Sequence, residues 1–404
     1  MVDEQEIPDP ALVEQVRIGS VARVRLEGAD ITPSSLAEAA RDEIDKQRLI
    51  LTDAASDDLV EAVIDEALGL GPIQPLLRDP SVTEIMVCDP ARVFVERDGR
   101  VHRSRARFAD AAHVLHVADR ILAPLGRRVD ESSPMVDARL PDGSRVNVVV
   151  PPLAVDGPAL TIRRFGRQPL RAPDLVRLGT LTPELHDLLA ASVASRRNIL
   201  VTGGTGSGKT TTLAALAGAI PADERVITIE DAAELQLPIP HVVRLESRPP
   251  SLEGHGAVSI RSLVRNALRM RPDRIVVGEV RGGECLDMVA AMTTGHEGSL
   301  STLHASSPSD AIRRLQLLAL MGDLELPFEA VAEQVAAAID LIVHQARLPD
   351  GRRRIVEVAG MRSDGHRVQP VRIAAFDDAT DRPVLTDLAP VWRAHLAVPR
   401  GERW

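Results

Sequence analysis

The 404-residue chain has no tyrosine, five phenylalanines and two tryptophans, so it offers few rings on which nucleic-acid bases could stack. Basic residues are in the minority, 48 Lys and Arg against 58 Asp and Glu, for a formal net charge of -10. A protein that tracks a nucleic-acid strand needs the reverse on both counts, which argues against a translocase of that kind. Cysteine is scarce, with Cys88 and Cys285 alone. Neither has a Cys or His nearby at metal-ligand spacing, which excludes a disulfide framework and a four-cysteine zinc site. Both read as buried thiols of a reducing compartment. Apolar runs fall well short of the ~18 residues a membrane helix requires. The start, Met1-Val-Asp-Glu-Gln-Glu-Ile-Pro8, is acidic and proline-broken where an export signal needs a basic start and an apolar run. A cytoplasmic protein is expected, one that acts on a membrane only through a partner.

The length implies two or three domains. Residues 1–60 read as a helical appendage. Ser35-Leu-Ala-Glu38 has the form of a capping box, and Leu59, Val63 and Ala67 with Val60, Ile64 and Leu68 form an apolar face before the Gly71-Pro72 stop. Residues 61–166 read as a smaller mixed α/β domain. Short β runs flank Asp98-Gly99 and again Asp142-Gly143, predicting two hairpins with a helix near 111–125 between them. Residues 167–183, with prolines at 169, 173 and 183, are the linker candidate. Across 184–404, β-branched apolar runs alternate with helical segments, the signature of a mostly parallel, doubly wound sheet. Past Asp340 an antiparallel extension is expected around Asp350-Gly351, with the basic turn Arg352-Arg-Arg354 and Trp404 as surface features.

One segment carries a phosphate-binding pattern. Gly203, Gly204, Thr205, Gly206, Ser207, Gly208, Lys209 and Thr210 fit G-x-x-x-x-G-K-[ST], directly after one predicted strand and directly before a predicted helix. The glycines let consecutive backbone N–H groups curl around phosphate oxygens, and the helix amino terminus adds partial positive charge. Lys209 would reach the β- and γ-phosphates and Thr210 would ligate Mg²⁺, with Thr211 counted among the binding residues. A plain glycine turn has no need of Lys-Thr at that place. Open α/β sheets hold ligands at the carboxyl ends of their strands, and two acidic clusters fall there. They are Ile229-Glu230-Asp231 and Val277-Gly278-Glu279. Gly278 takes the usual place of a Walker B aspartate, which leaves Glu279 as the nearest carboxylate for Mg²⁺ and its water.

These segments resemble a known family. Arg225-Val-Ile-Thr-Ile-Glu-Asp231 looks like the Asp box of the secretion-superfamily ATPases of type II and type IV secretion. Asp273-Arg-Ile-Val-Val-Gly-Glu279 looks like their atypical Walker B, and Gly295-His-Glu-Gly-Ser-Leu-Ser-Thr-Leu-His304 like their His box. Within that superfamily, Asn266-Ala-Leu-Arg-Met-Arg-Pro-Asp273, Val280-Arg-Gly-Gly-Glu284 and Gly71-Pro-Ile-Gln-Pro-Leu-Leu77 are most similar to the tight-adherence (Flp) pilus assembly ATPases of the TadA/CpaF type. The four-cysteine zinc motif common in the type II branch is absent.

The resemblance implies a RecA-like P-loop ATPase domain preceded by a smaller PAS-like domain. It further implies a homohexamer that hydrolyses MgATP, without zinc, at the inner face of the membrane, where it moves an integral platform protein. Glu230 and Glu279 would share the attacking water and the Mg²⁺ shell, and His304, more than His296, would sense the γ-phosphate. Arg139, Arg145, Arg163 and Arg164 would complete the nucleotide site, some across a subunit boundary, with Arg225 and Arg244 as further candidates. The motor of a conjugative type IV secretion system is the alternative reading, since it would share every one of these residues.

Overall fold

The computed structural model describes residues 8–97, 99–164, 169–248, 255–322, 326–363 and 368–398. Asp98 of the first hairpin turn, the start of the expected linker and Trp404 lie outside the described residues. The chain divides into two compact units, residues 1–167 and 168–404.

The first unit opens with helices α1 (Pro10–Leu26), α2 (Pro33–Lys46) and α3 (Asp53–Leu68), packed around Val13, Val16, Ala40, Ile44, Leu59 and Val63. The cap of α2 is not at Ser35. Thr32 and Ser35 exchange side-chain and backbone bonds one turn earlier, because Pro33 needs no N–H partner at the first helical position and its φ is already set for a helix. α3 runs through residue 60 into the following domain, Arg78 pairs with the buried Asp65, and His113 lies 3.0 Å from Glu66.

Helices α4 (Gln74–Arg78) and α5 (Ala111–Leu122) accompany a six-stranded sheet. Its strands are β1 (Val82–Asp89), β2 (Arg92–Arg97), β3 (Arg100–Arg103), β4 (Met135–Arg139), β5 (Arg145–Val149) and β6 (Ala159–Arg163). The order is β3-β2-β1-β6-β5-β4, antiparallel throughout. An antiparallel sheet can keep one face wet, and Cys88 on β1 is exposed there, contrary to the expectation of a buried thiol. Cys285 is buried, and burial pushes its thiol up to about 12.

Among the described residues the second unit holds nine strands: β7 (Ile199–Gly203), β8 (Val226–Glu230), β9 (Val242–Glu246), β10 (Arg274–Val277), β11 (Leu300–His304), β12 (Leu341–Arg347), β13 (Arg353–Ser363), β14 (Val368–Asp377) and β15 (Arg382–Leu385). They lie in the order β15-β14-β13-β12-β7-β11-β10-β8-β9. Pairing is parallel from β12 to β9 and antiparallel from β12 to β15. Strand β12, expected in an antiparallel extension, therefore also runs parallel to β7 at the sheet's centre. The crossover through α11 (Pro308–Leu320) and α12 (Phe328–Ala338) returns the chain to the amino end of the sheet before β12 begins.

Successive strand residues face opposite sides. Leu200, Ile227, Ile275 and Ile342 enter a core with α9 (Ile260–Ala267), α10 (Glu284–Thr293), α11 and α12. Their neighbours Ile199, Val201, Val226, Val276, Leu341 and Val343 enter the other, with α6 (Ala172–Arg177), α7 (Pro183–Ala194), α8 (Lys209–Ala217) and α13 (Ala389–His395). Burial on both faces is what made these strands read as unbroken apolar runs. Within the expected linker, residues 172–177 form α6, and Leu175 and Leu181 are buried in the second of these cores.

Candidate functional site

The carboxyl ends of four adjacent parallel strands meet at one place. Gly203 ends β7, His304 ends β11, Glu279 follows β10 by two residues and Glu230 ends β8. The pairing register puts His304 and Gln345 on either side of Gly203. The loop from Gly204 to Gly208 then enters α8, whose first residue is Lys209. Gly203 has φ 153°, and a Cβ there would lie 2.1 Å from the carbonyl oxygen of Gln345, so only glycine fits beside β12. Gly208, at φ 93°, caps α8 in the left-handed region. Ser207 Oγ donates to the Gly204 carbonyl at 2.9 Å, closing the loop on itself.

Lys209 is 8% exposed, and burial pushes its ammonium below the ordinary lysine range, opposed by the Glu279 carboxylate. It donates to the Gly204 carbonyl at 2.9 Å and lies 3.4 Å from His304 Nδ1. His304 Nε2 is 2.8 Å from Glu279 Oε1. Burial and the nearby ammonium hold His304 below its usual range, which favours the neutral ring. Arg281 donates to the other Glu279 oxygen, Nε at 2.8 Å, and reaches Asp231 at 3.6 Å. Lys209, His304, Glu279, Arg281 and Asp231 thus form one chain of alternating partners across the strand ends.

Glu230 is 4% exposed, and its carboxyl accepts the backbone N–H groups of Glu234 and Leu235 at 3.0 Å. Burial outweighs those bonds and pushes it up to about 7. The glycine at the Walker B position has a steric reason: a Cβ on residue 278 would come within 2.7 Å of Glu230 Cγ. An aspartate at 278 would therefore require the Glu230 side chain to move. Glu230 also carries a stability signature. Its folded-state value exceeds that of an unfolded glutamate, so the folded chain binds an extra proton between about pH 4.5 and 7 and loses stability as pH rises through that window. Glu230→Gln keeps an acceptor for both N–H groups without the charge. It is expected to unfold at higher temperature than wild type at pH 8, with the difference vanishing near pH 4.5; thermal melts across that range check it, and a pH-independent difference would contradict the assignment.

Mg²⁺ bound with nucleotide takes one or two protein ligands, water and phosphate oxygens. The residues fit: Thr210 is partly exposed in the first turn of α8, and Glu279 supplies a carboxylate just past the end of β10. Among the described residues no group of three or more His, Cys, Asp or Glu could hold a metal ion by itself. Thr211, next in the same turn, is likewise partly exposed.

The remaining candidates divide by position. Arg139, Arg145 and Arg163 occupy one rung of the first unit's sheet, continued by Glu84 on β1. Arg164, one residue on, donates to the carbonyls of Val82, at 3.0 Å, and Asp79, a bracing role within that unit. Arg244 Nη2 donates to the Ala233 carbonyl at 2.7 Å, and its charge lowers Glu230 slightly against the burial. Arg225 and His296 precede β8 and β11 and so lie at the amino ends of the sheet, away from the loop. There Arg225 donates to the Met270 carbonyl at 3.0 Å, and the His296 carbonyl accepts from Ser299 Oγ at 2.8 Å.

Two residues at the loop escaped the sequence. Gln345 Nε2 donates to the Ser207 carbonyl at 2.6 Å while its Oε1 accepts from Thr212 Oγ1 at 2.6 Å. Arg353 Nε donates to the Gly206 carbonyl at 3.0 Å. Arg352 and Arg353 are exposed, as expected of a surface turn, whereas Arg354 is 6% exposed with Nη1 on the Leu178 carbonyl at 2.9 Å.

Comparison with known proteins assigns the fold to a family. The model of the type II/IV secretion system protein family matches residues 66–374. A Mycobacterium tuberculosis H37Rv protein that carries a provisional conjugal-transfer name is 43% identical over 333 residues, covering 80% of this chain and 94% of the relative. Conjugal transfer protein TrbB of Rhizobium radiobacter is 35% identical over 301 residues, covering 72% and 88%. The crystal structure of the ATPase DotB of Yersinia pseudotuberculosis superposes with a TM-score of 0.53 at 20% identity over 75% of this chain and 80% of that one, a likeness of fold.

Proposed function

The chain belongs to the type II/IV secretion system protein family, and from that premise we propose that it is an ATPase powering a type IV secretion machine of the conjugal-transfer kind. The observation that carries this reading is the convergence of Lys209, His304, Glu279 and Glu230 on the phosphate loop at the carboxyl ends of adjacent parallel strands. The reaction is in-line attack of water on the γ-phosphate of MgATP. The loop N–H groups and Lys209 hold the β- and γ-phosphates, Thr210 and Glu279 hold the ion and its water, Glu230 orients or deprotonates the attacking water, and His304 reports the γ-phosphate to Glu279. Bound Mg²⁺ neutralises the charge that builds up on the leaving and transferring oxygens.

The second unit is read as a RecA-like core and the sheet of the first as PAS-like. Relatives named for conjugal transfer favour this reading over pilus assembly. The segments 266–273 and 280–284 keep the tight-adherence pilus ATPases as the second reading, and genes for prepilins or for conjugation beside this one would separate the two. Among the described residues no helix is long and apolar enough to cross a membrane. We place the chain in the cytoplasm, docked on an integral protein of the machine that receives the force.

The arginine rung on a separate unit suggests a ring in which one subunit completes its neighbour's site, a homohexamer by family resemblance. Lys209→Ala subunits keep their arginines, and Arg145→Ala/Arg163→Ala subunits keep their phosphate loop. Each alone is expected to be inactive, and mixing them is expected to restore part of the phosphate release. No recovery at any ratio, while mixed rings demonstrably form, would show that these arginines do not act across a boundary.

A further inference from the structure

Two side chains of the β12–β13 hairpin hold the phosphate loop from its outer side. Gln345 donates to the carbonyl of Ser207 and Arg353 to the carbonyl of Gly206, so two consecutive peptides are fixed by their oxygens. In a planar trans peptide the carbonyl and the N–H point in opposite directions. The Ser207 oxygen tied outward to the hairpin therefore turns the Gly208 N–H to the other side of the loop, the side a phosphate would take, while the Ser207 N–H closes on the Gly204 carbonyl at 3.4 Å. The packing is close enough to enforce this. A Cβ on Gly208 would lie 3.1 Å from both Arg353 Cδ and Gln345 Nε2, and one on Gly203 would strike the Gln345 backbone. The hairpin is itself anchored: the Arg353 carbonyl accepts from Thr180 Oγ1 at 3.0 Å, Ile355 N donates to the Thr180 carbonyl at 3.3 Å, and Gln345 is 2% exposed.

We propose that Gln345 and Arg353 are positioning residues for nucleotide, which preorganise the phosphate loop by orienting its N–H groups before the ligand arrives. The inference rests on the reading of that loop as a nucleoside di- or triphosphate site. Ground state and transition state use these N–H groups alike, so the effect falls on affinity and KM and leaves kcat at saturation little changed.

The two hydrogen bonds of Gln345 can be separated. Gln345→Glu is isosteric and still accepts from Thr212, but its carboxylate has no hydrogen to donate to Ser207 and sets a negative charge beside the phosphates. Thr212→Val removes the opposite bond, which ties Gln345 to α8 and not to the loop. The measurement is the affinity of the full-length chain for a fluorescent methylanthraniloyl-ADP with Mg²⁺, together with kcat and KM for ATP and thermal melting of each variant.

Gln345→Glu is expected to weaken ADP binding and raise KM by about tenfold or more, with kcat within about threefold. Thr212→Val is expected to lower the melting temperature while leaving affinity within about threefold. Arg353→Met is expected to weaken ADP binding, and Arg353→Lys, which keeps one donor, to recover part of the loss. Equal effects of Gln345→Glu and Thr212→Val on affinity, or a loss in kcat with KM unchanged, would overturn the positioning role. Failure of the wild-type chain to bind the ADP analogue would instead overturn the reading of the site, and the inference with it.

Discussion

Lys209→Ala is expected to reduce phosphate release by at least ~10³ while the chain keeps its fold. The rate falls because no other cation in the loop reaches the β- and γ-phosphates, and Lys209 is already desolvated, so its charge acts in a weakly screening site. The fold survives for a specific reason. The Gly204 carbonyl that loses Lys209 still accepts from Ser207 Oγ at 2.9 Å, and removing an ammonium that burial disfavours relieves a cost. Steady-state phosphate release and a thermal melt of the same preparation check both halves. Turnover within a few-fold of wild type would remove the phosphate-loop assignment, and a collapsed melt would mean that Lys209 is first a structural residue.

Glu279→Gln is expected to lower kcat by about 10²–10³ with nucleotide affinity within a few-fold of wild type, because activation of water acts mainly in the transition state. In the wild-type chain Glu279 lies between His304 and Arg281, and an amide no longer balances the Arg281 charge. Glu230→Gln should also slow turnover, by a route that pH can distinguish. With Glu230 titrating near 7, wild-type turnover should fall as the pH drops below that value, where a protonated carboxyl no longer accepts a proton from water. Glu279→Gln should retain this acid limb and Glu230→Gln should lose it. Affinity falling in parallel with rate in either variant would reassign that residue to binding.

Much of the site was legible because its parts are local. A strand, G-x-x-x-x-G-K-T and a helix occur in one stretch, Glu230 and Glu279 sit at or just past the end of β-branched runs that announce their own strands, and His304 ends the short run Leu300-Ser-Thr-Leu303. The rung of Arg139, Arg145 and Arg163 was not legible in the same way, because five residues connect β4 to β5 and nine connect β5 to β6, so no tight turn fixes which residues pair. What stayed hidden depends on which strands pair at long range. Gln345 lies 142 residues after its rung partner Gly203, and nothing in the periodicity of 341–347 tells whether that strand lies beside β7 or out at an edge. Arg353 follows from the same pairing, so a basic segment resembling a solvated turn proved to hold the Gly206 carbonyl. Start signals failed in a smaller way at Thr32, where Pro33 moved the helix cap one turn upstream. Gly278 was legible only as a departure from pattern, and its reason, the space taken by Glu230, required coordinates.

Turnover of MgATP at this site is tested most directly by phosphate release from the wild-type chain under excess ATP, with Mg²⁺ and then with the ion chelated. Many phosphates released per chain, dependence on Mg²⁺ and loss of release in Lys209→Ala are expected. A chain that binds ATP tightly but releases one phosphate or none, with or without Mg²⁺, would contradict turnover at this site.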